Sequence, residues 1–276
     1  MDRNRRRFLA GTALIGATHV AGMGWGDELA DPGGRRSVTR QELDQLYEER
    51  IRGHLTCVRT PESDDGPFYY ESSPARRDIT EGRRGMRLRL GITVANATIQ
   101  GSACAPLPDA VVDVWHTDAD GLYSNVGADV QMVDTEDQTF MRGHQVTNRE
   151  GYVEFNTVVP GWEIVGAPPP ENVFLRTTHI HVKVFREHKV ATSQLYFPDE
   201  FLDELYGSVD PYRTHRKMTA PGLGRAFDRI RNGADAIFLD DKSKPLEIRR
   251  EGAGIFAHAT IGIVASGSHR VRSLFR

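Results

Sequence analysis

The chain has 276 residues, of which 39% are hydrophobic and 26% charged, with a formal net charge of −3 at pH 7. This composition is typical of a folded globular protein with one large domain or two small ones, and it excludes disorder throughout. The low charge argues against a nucleic-acid-binding or polybasic membrane surface outside the first residues. We expect no membrane segment in the mature form.

Residues 1–26 differ in character from the rest of the chain. The sequence Asn-Arg-Arg-Arg-Phe-Leu at residues 4–9 stands directly before a weakly apolar, Gly- and Ala-rich run over residues 10–24. This order is typical of a twin-arginine export signal, with a disordered basic tail as the alternative. It predicts a protein that is exported to the periplasm or secreted.

Cysteine occurs twice, as Cys57 and Cys104. In an oxidising compartment such a pair favours a single disulfide over a metal site, which would need further soft ligands nearby. Two free buried thiols are the alternative.

Residues 27–53 form a Gly-, Pro- and Arg-containing linker followed by a predicted amphipathic helix that ends near Gly53. Thr39 and Glu42 have the spacing of a capping box, which marks the start of a helix. The apolar residues at helical spacing on one face are Leu43, Leu46, Tyr47 and Ile51. This face could cover its own domain or a second subunit, and the second case predicts a homodimer.

Residues 54–276 are predicted to form one domain of short strands separated by turns. The predicted strands are residues 86–94, 111–116, 152–159, 179–185, 190–197 and 254–264. The first alternates apolar and polar residues, which is typical of a half-buried strand. Short helices are predicted at residues 200–206 and 223–232. The fold class is therefore all-β: a β-sandwich of antiparallel strands with a short N-terminal helix and small inserted helices.

The predicted strand that begins at His179 carries a candidate metal-ligand pair. Side chains alternate between the two faces of a strand, so His179 and His181 share one face. The opposite face carries Ile180, Val182 and Val184. Two imidazoles about 7 Å apart along a strand can converge on one ion, which then needs anionic ligands from elsewhere. Histidines on an exposed strand face without a ligand role are the alternative.

Several short motifs occur in one fixed order along the chain. They are Asp-Gly-Pro-Phe-Tyr-Tyr at 65–70, Cys-Ala-Pro-Leu at 104–107, Val-Asp-Val-Trp-His at 112–116, Asp-Gly-Leu-Tyr-Ser at 120–124, Arg-Gly-His-Gln at 142–145, Gly-Tyr-Val-Glu-Phe-Asn-Thr at 151–157, Pro-Gly-Trp at 160–162, Arg-Thr-Thr-His-Ile-His at 176–181 and Gln-Leu-Tyr-Phe at 194–197. With these motifs in register, the chain resembles the intradiol ring-cleavage dioxygenases, the protocatechuate and catechol dioxygenase family, over roughly residues 55–265.

The resemblance implies a β-sandwich that holds one non-haem ferric ion, Fe(III), by two tyrosinates and two histidines. Tyr123 matches the first tyrosinate, and His179 and His181 match the imidazoles. Phenolate is a hard anionic ligand that favours Fe(III) over Fe(II). A turn tyrosine that only packs its ring is the alternative for Tyr123.

At the second tyrosine the chain departs from the family pattern. That tyrosine follows the Pro-Gly-Trp motif in the family, whereas Glu163 stands there in this chain. Glu163 is therefore the candidate fourth ligand, with a solvated loop residue as the alternative. Two histidines and one carboxylate are also a ferrous ligand set, so an extradiol enzyme with Fe(II) is a further possibility.

Two more residues match family positions near the substrate. Arg176 corresponds to an arginine that stabilises negative charge on the ring, and Gln194 to a polar residue that orients substrate or oxygen. Each has an ordinary structural alternative, a surface ion pair for Arg176 and a strand glutamine for Gln194. The implied reaction cleaves a catechol between its hydroxylated carbons with O2 to a muconate-type diacid. A β-sandwich that only binds an aromatic or carbohydrate ligand is the alternative outside enzymes.

Overall fold

The computed structural model describes residues 39–50, 60–97, 105–163, 175–187, 189–215 and 229–263. The predicted export signal, Cys57 and Cys104 lie outside these residues, so the disulfide stays a prediction. Within them no helix has the length and apolar character needed to cross a membrane.

The first helix, α1 (Arg40–Arg50), begins at the predicted capping box. The backbone N–H of Thr39 donates to the Glu42 carboxylate at 2.8 Å, and the N–H of Glu42 donates to the Thr39 hydroxyl at 3.3 Å. These reciprocal bonds satisfy donors that a helix start would otherwise leave unpaired. The capping box is therefore confirmed.

The apolar face of α1 packs on the chain's own sheet. Leu43 and Tyr47 are buried together with Tyr152 and Phe256, with Leu46 at the edge of the cluster. Ile51 and Gly53 lie outside the described residues. Since the helix covers its own domain, it supplies no basis for a second subunit, and the homodimer stays a prediction that hydrodynamic size would check.

The described strands form two sheets. The strands are β1 (Arg87–Asn96), β2 (Ala105–Pro106), β3 (Val111–Trp115), β4 (Arg142–Val146), β5 (Tyr152–Val158), β6 (His179–Arg186), β7 (Lys189–Tyr196), β8 (Glu247–Glu251) and β9 (Gly254–Ile263). One sheet has the order β2-β1-β9-β8 with β5 also paired to β1, and the other has the order β4-β3-β6-β7. All pairs are antiparallel except β1 with β9, which is parallel and departs from the prediction.

The main hydrophobic core lies between the two sheets. Leu90 and Ile92 of β1 and Phe155 of β5 pack in one cluster with Val114 of β3 and Val182 of β6, and all five are fully buried. Burial of apolar area at about 25 cal/mol per Å² stabilises this sandwich. The predicted β-sandwich is confirmed.

The sequence pattern missed β2, β4 and β8 because they lack apolar alternation. β4 reads Arg-Gly-His-Gln-Val, and β8 reads Glu-Ile-Arg-Arg-Glu with mostly exposed side chains. The half-buried prediction for β1 holds only at its start. Beyond Arg89 both faces are covered, because Gly91 lies against the Tyr152 ring and Thr93 against His258.

Short helices connect the strands. They are α2 (Ala128–Gln131), α3 (Asp199–Ser208), α4 (Tyr212–His215), a 3-10 helix (Asn232–Ala234) and α5 (Ala236–Asp240). α3 confirms the helix predicted at residues 200–206. The helix predicted at 223–232 is wrong for residues 229–231, where Ile230 instead forms an isolated bridge to Thr177. Asn232 begins the 3-10 helix, and residues 223–228 lie outside the described residues.

Candidate metal centre

Strand β6 places the two histidines on the face of its sheet that points away from the core. Ile180, Val182 and Val184 alternate with them and are fully buried in the core, as the pattern predicted. The histidines are also buried, with exposed fractions of 4% for His179 and 3% for His181. Loops therefore cover this outer face, and the alternative of exposed strand histidines does not hold.

The two imidazoles converge on one point. His179 Nε2 and His181 Nε2 lie 3.0 Å apart. His179 Nδ1 lies 2.7 Å from the Thr177 carbonyl oxygen, which can only accept, so Nδ1 carries the proton. His179 Nε2 is therefore the unprotonated nitrogen of the ring, which is the form that binds a metal, and its lone pair faces His181 Nε2.

Burial keeps both imidazoles neutral. It lowers the pKa of His179 to about 3, with the charge of Arg176 as a smaller cause. Burial also lowers the pKa of His181 well below its ordinary value, and neighbouring His179 acts in the same direction. Neither histidine needs to lose a proton before it can ligate an ion.

Tyr123 lies next to this pair, in the loop that follows β3. Its ring is 1% exposed, with its centroid 6.4 Å from the His181 ring and 4.7 Å from the Phe68 ring. The Gln131 side chain binds its backbone on both sides, accepting from the Tyr123 N–H at 2.9 Å and donating to its carbonyl at 2.8 Å. Tyr123 is therefore held in a fixed position beside His181, and its role as a ligand stays a prediction.

Glu163 lies beside Tyr123, and its carboxylate interacts with the Tyr123 hydroxyl. Only 8% of Glu163 is exposed, so the alternative of a solvated loop residue does not hold. Burial raises the pKa of Glu163, whereas the contacts with Tyr123 and the charge of Arg176 lower it. Burial and the charge of Glu163 together raise the pKa of Tyr123 well above its ordinary value. The Tyr123 phenol is thus neutral unless a cation binds its oxygen.

The Pro160–Glu163 segment reaches Tyr123 because it packs closely on the turn before that residue. Gly161 N–H donates to the Asp118 carbonyl at 2.8 Å, and Thr117 Oγ1 donates to the Gly161 carbonyl at 2.7 Å. A Cβ at Gly161 would lie 2.5 Å from the Ala119 carbonyl oxygen. The glycine before Trp162 is therefore required for this approach, which brings residues 123 and 163 together.

The donor set fits a metal ion. Metal–nitrogen bonds of about 2.1 Å allow one ion to bind two nitrogens that lie within about 4 Å of each other, and the two Nε2 atoms lie 3.0 Å apart. In the part of the chain that is described, no group of three His, Cys, Asp or Glu side chains is placed to hold a metal, so Glu163 does not complete such a group with the two histidines. Two imidazoles with a phenolate and a carboxylate are a donor set that suits Fe(III).

Arg176 and Gln194 stand next to the histidines and bind each other. Arg176 Nη2 donates to Gln194 Oε1 at 2.8 Å, and Gln194 Nε2 donates to the Asp64 carbonyl at 2.9 Å. Arg176 also forms a salt bridge to buried Asp235, with Nε 2.6 Å from Oδ2. The ion pair is mostly buried, so the alternative of a surface ion pair does not describe Arg176. Gln194 lies in β7 and binds protein groups, so its role near a substrate stays a prediction.

The sequence-based prediction did not single out three residues that lie beside the candidate metal site. The Trp115 indole stacks on the His181 ring with centroids 4.8 Å apart. Buried Arg142 donates to the Ser124 carbonyl at 2.7 Å and to the Phe68 carbonyl at 2.7 Å, which ties two loops of the site together. Trp115 and Arg142 lie inside quoted motifs and could have been singled out there. Asp235 lies in no such motif, and its only local signal is a helix N-cap pattern before α5.

Comparisons with known proteins identify the family. A family described as Dioxygenase matches residues 64–215. The chlorocatechol 1,2-dioxygenase of Rhodococcus opacus is 30% identical over 155 residues, which cover 50% of this chain and 56% of that protein. The hydroxyquinol 1,2-dioxygenase of Nocardioides simplex is 29% identical over 171 residues, which cover 58% of this chain and 53% of that protein. The chain thus spans about half the length of the curated relatives it matches.

Solved structures share the fold. An intradiol ring-cleavage dioxygenase from Tetranychus urticae superposes with a TM-score of 0.62 at 23% identity, over 78% of this chain and 98% of that chain. The dioxygenase domain of a carbohydrate-binding fusion protein from Streptomyces sp. SirexAA-E has a TM-score of 0.51 at 26% identity, over 76% of this chain and all of that chain. Since the family match spans more than half of the sequence and these structures share its sandwich, the chain belongs to the intradiol ring-cleavage dioxygenase family.

Proposed function

We propose that the chain is a non-haem iron(III) dioxygenase that cleaves the ring of a catechol-type substrate between its two hydroxylated carbons. Both atoms of O2 enter the product, a muconate-type diacid. The observation that carries this proposal is the approach of the His179 and His181 Nε2 atoms to 3.0 Å beside buried Tyr123. The curated relatives named as catechol, chlorocatechol and hydroxyquinol 1,2-dioxygenases support the same reaction class.

Tyr123, Glu163, His179 and His181 would hold the iron. When bound, the ferric ion would act as a Lewis acid and a template for the two catechol oxygens. Glu163 takes the place of a second tyrosine in this chain, so the set would carry one phenolate and one carboxylate. Both are hard anions that suit a ferric ion.

The Glu163 carboxylate would serve as a proton acceptor in substrate binding. A catechol must lose protons to bind as an anion, and this carboxylate lies buried beside the Tyr123 hydroxyl. Burial raises the pKa of Glu163, which makes its carboxylate a stronger base and a better proton acceptor than an exposed carboxylate. A phenolate, which the family usually has at this position, is a stronger base than a carboxylate. Glu163 would therefore accept protons down to a lower pH than a tyrosine at the same position would.

Arg176 would stabilise negative charge on the substrate ring. Its guanidinium lies at the histidine face and is bound to Gln194 and Asp235, so it keeps one orientation. A fixed cation in a buried site stabilises developing charge without reorganising during the reaction. Gln194, bound to Arg176 and to the Asp64 carbonyl, would support this orientation.

Product identification tests the proposed function. Purified, iron-loaded protein is expected to bind about one iron per chain and to convert catechol, a chlorocatechol or hydroxyquinol to a muconate-type diacid. The mass and ultraviolet spectrum of the product are the measurements. A product cleaved outside the two hydroxylated carbons would favour a ferrous extradiol enzyme. Catechols that bind and leave unchanged would favour a non-catalytic aromatic-binding protein.

We also propose that the protein is exported by the twin-arginine route. The support is the Arg-Arg-x-Phe-Leu pattern at residues 5–9 before the weakly apolar run. Replacing Arg5, Arg6 and Arg7 by lysine is expected to leave the protein inside the cell. Immunoblots of cytoplasmic and periplasmic fractions measure this, and unchanged export of the lysine variant would contradict the proposal.

A further inference from the structure

A carboxylate from outside the family match holds the guanidinium of Arg176. Asp235 is 2% exposed and stands between the 3-10 helix and α5, beyond residue 215 where the family match ends. Its Oδ2 accepts from Arg176 Nε at 2.6 Å, and its Oδ1 accepts from Arg176 Nη2 at 3.2 Å. This two-point contact fixes the plane of the guanidinium as well as its position.

The same carboxylate binds the backbone that leads into the metal-ligand strand. Asp235 Oδ2 also accepts from the Thr177 N–H at 2.9 Å. The carbonyl of Thr177 accepts from His179 Nδ1 at 2.7 Å, which sets the ring orientation of that histidine. Asn232 adds a second link, since its Oδ1 accepts from Thr177 Oγ1 at 2.8 Å. One short segment thus orients both Arg176 and His179.

The remaining Asp235 contact anchors this carboxylate to its own segment. Its Oδ1 accepts from the Phe238 N–H at 3.0 Å, as the N-cap of α5. Burial disfavours the charged carboxylate, yet the bonds from Arg176 keep the pKa of Asp235 below its ordinary value. Asp235 therefore stays an anion at neutral pH and is a rigid, charged support.

We propose that Asp235 is the positioning residue that holds the Arg176 guanidinium over the substrate ring. This inference deepens the proposed function and rests on it. Glu163 also acts electrostatically on Arg176 from within the site. Without Asp235, only the bonds from Nη2 to Gln194 and Tyr196 would remain, and the guanidinium could pivot about them towards Glu163 and away from the substrate ring. Arg176 would then be present but misplaced by an ångström or more, which is enough to slow an oriented reaction about 100-fold.

Asp235→Asn tests this role because it keeps the shape of the side chain and removes its charge. The expected result is a fall in kcat of about 10- to 100-fold with a small change in KM, because Arg176 acts on charge that develops during the reaction. Iron content is expected to stay near that of the wild type. Asp235→Glu, which restores the charge on a longer side chain, is expected to recover part of the rate.

A double-mutant cycle with Arg176 separates positioning from folding. If Asp235 acts through Arg176, then Asp235→Asn in an Arg176→Ala background is expected to change kcat less than about 3-fold. A role in stability alone would lower activity by the same factor in both backgrounds, and that result would overturn the proposal. Thermal unfolding of the iron-free proteins measures the stability difference directly.

Asp203→Asn is the matched control. Asp203 Oδ1 accepts from Arg229 Nη2 at 2.7 Å, so this change also removes an aspartate–arginine ion pair. That ion pair does not include Arg176. It is expected to leave kcat unchanged. Equal losses of kcat in Asp203→Asn and Asp235→Asn would contradict a specific role for Asp235.

The same double-mutant cycle can be measured without turnover. The absorbance of 4-nitrocatechol reports how tightly each variant binds it. The nitro group of this ligand spreads its negative charge through the ring, so Arg176 acts on 4-nitrocatechol already in the bound state, unlike on a catechol substrate. Asp235→Asn is therefore expected to weaken its binding several-fold in the protein that keeps Arg176, and not in the Arg176→Ala protein. A wild type without turnover would overturn the proposed function, while this binding cycle would still decide the role of Asp235. Equal binding by wild type and Asp235→Asn would overturn that role.

Discussion

Tyr123→Phe is expected to remove the visible colour of the iron-loaded protein and to lower kcat/KM by about 100- to 1,000-fold, the range for losing one group that stabilises charge in a buried site. Visible absorption of a ferric centre of this kind arises from charge transfer between phenolate and iron, and the Tyr123 ring lies 6.4 Å from the His181 ring. The Tyr196 ring also lies beside the pair, 6.0 Å from the His179 ring, but its hydroxyl donates to Gln194 Oε1 at 2.7 Å. Phenylalanine keeps the ring that packs on Phe68 but removes the oxygen donor. The loss of an anionic ligand also weakens the preference of the site for Fe(III).

Absorption spectra at matched iron content measure this prediction. Tyr69→Phe is the control, because the Tyr69 ring lies in the same aromatic cluster while its hydroxyl donates to Asp113 at 3.3 Å. The control is expected to keep the colour. A Tyr123→Phe protein that stays coloured would show that another tyrosine binds the iron.

Glu163→Tyr is expected to intensify the phenolate band of the iron-loaded protein. The wild type would carry one tyrosinate, and the variant would carry two, so its band should be stronger at the same iron content. The spectrum of the wild type is accordingly expected to be weaker than that of a site with two tyrosinates. Titrating both proteins with iron and recording the visible spectrum at each addition measures the difference.

The same substitution is expected to move the acid limb of the pH–rate profile to higher pH. The proton acceptor works only when it is deprotonated, and a carboxyl group of ordinary pKa about 4.3 loses its proton at lower pH than a phenol of ordinary pKa about 10. Burial raises the pKa of Glu163, so its acid limb lies above the ordinary carboxyl value. Rates measured across the pH range at saturating catechol check this shift.

Glu163→Gln and Glu163→Ala test whether residue 163 contributes to iron binding and to the reaction. Glutamine keeps the size of the side chain and removes its charge, and alanine removes both. Each is expected to lower iron affinity and rate, since an anionic group leaves the centre. Unchanged iron content, spectrum and rate in Glu163→Ala would mean that residue 163 is a bystander and that another group holds the fourth position.

Local patterns were enough for the elements whose own residues decide their structure. The capping box at Thr39 and Glu42 and the alternation of histidines with Ile180 and Val182 were both read from neighbouring residues. Capping bonds join residues three apart, and side-chain direction in a strand depends only on its two-residue period. The order of the motifs likewise predicted the sandwich, and it named Tyr123, Glu163, His179 and His181 as candidate ligands, which stay predictions.

Edge strands and sheet pairing were decided by the tertiary structure. β4 and β8 carry little apolar alternation and become strands because β3 and β9 offer them backbone partners. The parallel pairing joins β1 and β9, the first and last of the described strands. Hydrogen bonding between distant strands leaves no mark in either strand's own composition.

At the candidate metal centre, too, some features follow from the sequence and others only from the tertiary structure. The sequence by itself determined which donor atoms this protein carries and that position 163 has a carboxylate where a second phenol is expected. Only the tertiary structure decided that the Glu163 side chain is buried against Tyr123, and that Asp235 binds Arg176 from 59 residues away. Burial and long-range salt bridges depend on how loops pack over a sheet face, and that packing is a property of the whole chain and not of any one segment.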